Sequence, residues 1–191
     1  GTSANAAWQA AGSSGSRFGA AVATAGDIDG DGYSDVLVGA PARTVHTSGE
    51  GEALGYLGGP DALADAPGWS ARSGQNGASL GWSVGTAGDV DADGFSDLAA
   101  GAPDFDHGSE NEGIVLVWRG SLDGPVGHPG ETTPWRAFGG QAGARLGASV
   151  AAAGDVNGDG FGDLVAGAPG FDAGQAFEGA AFVWLGSENG L

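Results

Sequence analysis

Small apolar and hydroxyl residues alternate along GAAVATA (19–25), and a nearly unbroken apolar run, DVLVGAP (35–41), begins ten residues after that stretch ends. Alternation with a period of two predicts a half-buried strand, and a short apolar run bounded by turn residues predicts a buried one. A third segment ends on Tyr56 and a fourth surrounds a tryptophan, with Gly and Asp clusters between them. The pattern then repeats. RFGAAVATAGDIDGDGYSDVLVGAP (17–41) returns as SLGWSVGTAGDVDADGFSDLAAGAP (79–103) and as RLGASVAAAGDVNGDGFGDLVAGAP (145–169). The register holds beyond it: Glu50, Glu112 and Glu178 each lie nine residues after the Pro of GAP, and each leads into a run ending in Tyr56, Trp118 or Trp184. Trp8, Trp69 and Trp135 precede the first loop aspartate by 19, 20 and 20 residues.

Periodic self-similarity at this length fixes architecture before any local detail. Four antiparallel strands in a unit of roughly 62 to 66 residues are what a β-propeller blade requires, and the Ala, Gly and Ser of the first strand suit the crowded position near the axis. A β-helix would use shorter rungs. An all-β sandwich is the alternative, but it does not predict identical loops at identical phase. The expected domain is therefore the whole chain, 1–191, with repeats at about 9–69, 70–135 and 136–191.

Between the first two strands of each unit stands D-x-D-x-D-G-x-x-D or a close variant. It places side-chain oxygens at positions 1, 3, 5 and 9 and a backbone carbonyl at position 7, most of the six to eight oxygens that Ca²⁺ takes. The expected ligands are Asp27, Asp29, Asp31 and Asp35 with the Tyr33 carbonyl; Asp89, Asp91, Asp93 and Asp97 with that of Phe95; and Asp155, Asn157, Asp159 and Asp163 with that of Phe161. That predicts three Ca²⁺ per chain. An EF-hand would close with Glu at position 12 between helices, and Mg²⁺ prefers a stricter octahedral shell that keeps its waters. Asp-Gly hairpin turns with solvated charges are the plainer reading of any single copy; three copies in phase weigh against it. Asn157 lowers the charge of the third loop, which is expected to bind Ca²⁺ most weakly.

Charge supports a cationic ligand. Twenty-four Asp and Glu stand against six Arg, a net charge of −18, which argues against nucleic acid and against anionic membranes. There is no cysteine for a disulfide framework or a thiolate site. No apolar run approaches the ~18 residues of a membrane span, so a soluble chain is expected.

At this point the sequence resembles the FG-GAP repeats of the integrin α-subunit β-propeller, which also occur in secreted bacterial proteins. The FG is literal at Phe18-Gly19 and becomes Leu80-Gly81 and Leu146-Gly147; GAP is intact at 39–41, 101–103 and 167–169. The resemblance implies a propeller with calcium in the loop joining strands 1 and 2, opposite the ligand-binding face, and adhesion or ligand binding without catalysis. An extracellular or cell-surface setting is expected, because millimolar calcium there would keep such sites filled. Propellers close with about four to eight blades, whereas three are present here. We expect a head-to-tail homodimer of six blades, in which residues 1–8 of one chain supply the outer strand of the other's third repeat. A fragment of a larger propeller, such as that of a polysaccharide-active enzyme, is the alternative.

Enzymatic activity is not expected. His46, His107 and His128 lie at unequal phase, and no G-x-S-x-G elbow is present. Trp8, Trp69 and Trp135 could stack on sugars in a lectin-like propeller, but their regular phase favours packing of outer strands. On the face opposite the acidic loops, Phe105, His107, Phe171 and Phe177 are candidate contacts for an unknown protein or glycan ligand.

Overall fold

A computed structural model describes residues 6–125 and 134–191; His128 and residues 1–5 of the expected exchanged strand lie outside them. The described chain is all β. Strands β1 (Ala21–Gly26), β2 (Asp35–Ala40), β3 (Glu52–Tyr56) and β4 (Trp69–Arg72) form the first sheet. β5 (Ser83–Gly88), β6 (Asp97–Ala102), β7 (Ile114–Trp118) and β8 (Trp135–Phe138) form the second, and β9 (Ser149–Gly154), β10 (Asp163–Ala168) and β11 (Ala180–Trp184) the third. Each sheet is antiparallel and runs in chain order. These are the strands the alternation predicts, except that Trp8 belongs to no ladder and the third sheet has three strands among the described residues.

A register shift recurs where each first strand meets its acidic loop, between Thr24 and Gly26 and between Thr86 and Gly88. Gly26 and Gly88 take φ of 76° and 87° there, a left-handed conformation that costs glycine little and bends the strand outward into the loop.

β1 packs against β5, and β5 against β9, so the small-residue strands lie innermost where three sheets converge. Between the first two sheets the core is Leu37, Ala53, Leu98, Ile114, Leu116 and Trp118. Between the second and third it is Ala99, Val115, Val117, Leu146, Leu164 and Ala166. Each large aliphatic side chain buried there contributes about 1.5–3 kcal/mol. The tryptophans complete these layers: Trp69 meets Trp118 edge to face at 5.0 Å, and Trp135 meets Trp184 at 5.4 Å. Trp8 repeats the arrangement on Tyr56 at 4.9 Å, its indole N–H donating to the Ala64 carbonyl.

The expected contact aromatics divide. Phe105 and Phe171 turn inward onto Phe138 and Phe182, and His107 stacks on Phe138 at 3.8 Å. Phe177 stands in solvent, 81% exposed, and the His107 side chain, although stacked, is 61% exposed.

Candidate metal centres

The acidic loops are folded by their own carboxylates. In the first, Asp27 accepts from the backbone N–H of Gly30 (2.7 Å) and Asp31 through Oδ1 and of Gly32 (2.9 Å) through Oδ2. Asp31 accepts from the N–H of Tyr33 at 2.9 Å. The second loop repeats this with Asp89 bound to Asp93 and Gly94, and Asp93 to Phe95. In the third, Asp155 bonds Gly158, Asp159 and Gly160, and Asp159 bonds Phe161. Backbone donors, Gly160 foremost, hold the Asp155 carboxyl below its ordinary pKa. Short Asp-to-backbone bonds wind the chain so that side chains at positions 1, 3 and 5 turn to one side.

The ninth aspartate is more than a prospective ligand. Asp35, Asp97 and Asp163 are buried to 1%, 0% and 0% exposure, and both oxygens of each are engaged. Asp35 accepts from Ile28 and Gly58, Asp97 from Val90 and Gly120, and Asp163 from Val156 and Gly186. Each one staples the loop to the end of its third strand, 23 residues on. Burial raises the Asp35 pKa against the opposing pull of its two donors, with Asp29 and Asp27 adding repulsion. Burial, with repulsion from Asp93 and Asp89, pushes Asp97 up to about 7.

Two groups of carboxylates converge among the described residues, with oxygens within 4.8 Å of one another: Asp27, Asp29 and Asp31 in the first loop, and Asp89, Asp91 and Asp97 in the second. Asp35 stays outside the first group, whereas Asp97, with equivalent backbone donors, lies within the second. Asp93 stays outside the second, where its Oδ2 accepts from Arg119 Nη2 at 3.3 Å. In the third loop the Asn157 amide donates to Asp159 at 2.7 Å, easing by a dipole the repulsion that Asp29 and Asp31 carry in full. The donor set fits a hard divalent cation. It is all oxygen, and the peptides of Tyr33, Phe95 and Phe161 close the loops; in the second loop the Asp91 oxygens, buried without a hydrogen bond, pair with the Arg119 guanidinium. Such a cluster of like charge is costly unless a cation compensates it.

Arg119 is the residue that sequence reasoning misses. Its signal is a basic residue directly after the strand-3 aromatic, where the other repeats have Leu57 and Leu185. Glu52 is similar: aligned with Ile114 and Ala180, it is buried and paired with Arg43 at 3.3 Å and Arg72 at 2.5 Å.

Among the described residues, no helix is long and apolar enough to cross a membrane. The model of the FG-GAP repeat matches residues 18–55, 80–118 and 146–184, together more than half the chain. The chain is also similar to integrin alpha-PS5 of Drosophila melanogaster, 50% identical over 50 residues, which is 26% of this chain and 4% of that protein. The chain thus spans a small part of this curated relative.

Proposed function

Because the chain belongs to the FG-GAP repeat family, we propose that it is a calcium-stabilised, integrin-like propeller scaffold for extracellular adhesion or ligand binding. Asp27, Asp29 and Asp31, Asp89, Asp91 and Asp93, and Asp155, Asn157 and Asp159 hold three Ca²⁺, with the carbonyls of Tyr33, Phe95 and Phe161 completing the shells. Asp35, Asp97 and Asp163 complete the ligand sets from behind, Asp97 with an oxygen within 4.8 Å of those of Asp89 and Asp91. The observation that carries this reading is the convergence of three carboxylates in each of the first two in-phase loops, with oxygens within 4.8 Å of one another. Extracellular calcium, at millimolar levels, would keep such sites filled. The ligand surface is the opposite rim, where loops stand on a rigid scaffold and Phe177 is exposed. A glycan array separates adhesion from a lectin. Blank spots with calcium present fit protein adhesion, whereas calcium-dependent capture of one glycan class, or turnover of a polysaccharide panel, overturns it.

We further propose that the open faces of the first and third sheets close on a second copy, giving six blades and no catalytic centre. Both junctions within the chain use one bond set. Gly77, Ser79 and Leu80 donate to the carbonyls of Ser48, Gly49 and Glu50, and Gly143, Arg145 and Leu146 donate to those of Glu110, Asn111 and Glu112, at 2.8–3.1 Å. The aligned donors on the first sheet are Gly15, Arg17 and Phe18, and the aligned acceptors on the third are Ala176, Phe177 and Glu178. Apolar surface agrees: Val22, aligned with Val84 at 7%, is 67% exposed, and Val183, aligned with Val117 at 2%, is 50% exposed. Trp8 already lies on the first sheet as Trp69 lies on the second. Sedimentation equilibrium in calcium tests this: a mass near twice 18.4 kDa is expected, and a monomer at micromolar concentration contradicts it.

A further inference from the structure

Loops 1 and 2 have the same four aspartates, yet their surroundings differ at one decisive place. After β3 the chain continues with Leu57; after β7 it continues with Arg119. Pairing of β6 with β7 sets Trp118 opposite Leu98, so the residue following Trp118 comes alongside the acidic loop that precedes β6. The Arg119 guanidinium there pairs with Asp91 and, at 3.3 Å, with Asp93. The Asp91 side chain is 1% exposed and that of Arg119 19%. Asp91 has no hydrogen-bond partner for either oxygen, so this ion pair is its charge compensation. The aligned Asp29, in loop 1, is half-buried and is in no ion pair among the described residues.

We propose that Arg119 is a tethered counter-ion of loop 2, a positive charge covalently supplied where loop 1 depends on a free Ca²⁺. This rests on the reading of the acidic loops as calcium sites. Two consequences follow from the charge. Loop 2 keeps its fold without the ion, because a guanidinium already offsets Asp91 and Asp93. Calcium enters loop 2 only by displacing Arg119 from those carboxylates, and affinity in such loops is set by the net ligand charge. The central sheet, packed on both faces, is thereby made less dependent on calcium than the first. Falling calcium empties loop 2 before loop 1, yet leaves the middle of the repeat array intact.

The test follows the amide resonances of Gly32 and Gly94, which donate to Asp27 and Asp89 in equivalent bonds, by ¹H–¹⁵N correlation spectra during a calcium titration. In the wild-type chain the Gly94 midpoint is expected at a calcium concentration at least about tenfold above that of Gly32. In Arg119→Leu, which restores the residue of the other repeats, the two midpoints are expected to fall within about threefold. Arg119→Gln, of similar length without charge, should narrow the gap likewise and guards against a packing effect of leucine. Coincident midpoints in the wild type, or an unchanged gap in both variants, would overturn the role of Arg119 while leaving the calcium sites standing. If neither glycine responds at calcium well above ~1 mM, the calcium reading itself falls, and this inference with it.

Discussion

Asp163→Ala separates the two roles that the ninth loop position could have. The wild-type carboxylate is wholly buried and accepts from Val156 N–H at 2.7 Å and Gly186 N–H at 2.9 Å. Hydrogen bonds to a charged acceptor contribute about 1.5–3 kcal/mol each, and truncation also leaves the buried Gly186 N–H unpaired. The expected loss is therefore about 3–6 kcal/mol, a large share of the ~5–15 kcal/mol that stabilises an ordinary domain. Asp163→Asn keeps one acceptor but turns an NH₂ toward the other donor, and should lose about half as much. Guanidinium denaturation in excess chelator is the assay, with Asp159→Asn as the control. Asp159 is exposed, so its neutralisation should not destabilise the calcium-free chain. If Asp163→Ala matches the wild type in chelator and falls behind only in calcium, the staple is wrong and the residue is a metal ligand alone.

Other perturbations probe the sheets and the rim. A methyl group at Gly101 would overlap the carbonyl oxygen of Gly147 across the second junction, so Gly101→Ala should cost about 1–3 kcal/mol, read as a lower thermal midpoint. Trp69→Ala removes the edge-to-face partner of Trp118 and should cost about 3 kcal/mol, with a red shift in the remaining tryptophan emission. Phe177 holds a φ of 59° where the other repeats have Gly49 and Asn111. Phe177→Asn should relieve about 1 kcal/mol of backbone strain and raise the midpoint by about 2–4 °C. A lower midpoint would mean that the ring packs as well as protrudes.

The strands were legible because periodicity two and a threefold repeat reinforce one another: GAAVATA and DVLVGAP lie within two residues of β1 and β2. The positions of Asp27, Asp29 and Asp31 were legible for the same reason, since spacing alone turns them to one side. What escaped depends on contacts between segments distant in the chain. Nothing in DIDGDGYSD reveals that Gly58 will present its N–H to Asp35 from 23 residues away. Arg119 sits outside the loop motif and reaches it only through the pairing of β6 with β7. Phe105 and Phe171 resemble exposed loop residues in sequence, but a tight turn after GAP folds them back onto Phe138 of β8 and Phe182 of β11. Trp8 shows the opposite limit: its phase predicts its packing partner, while its strand requires a ladder that the described residues of one chain do not form.

The central claim is that the acidic loops hold calcium and that calcium holds the repeats. Differential scanning calorimetry in 1 mM Ca²⁺ and in excess chelator tests it most directly. A ligand bound to the folded state alone stabilises by about 2.7 kcal/mol per site at a hundredfold excess over Kd, which the account predicts as a midpoint that climbs steadily with calcium and collapses on chelation. Superimposable transitions under the two conditions would contradict it.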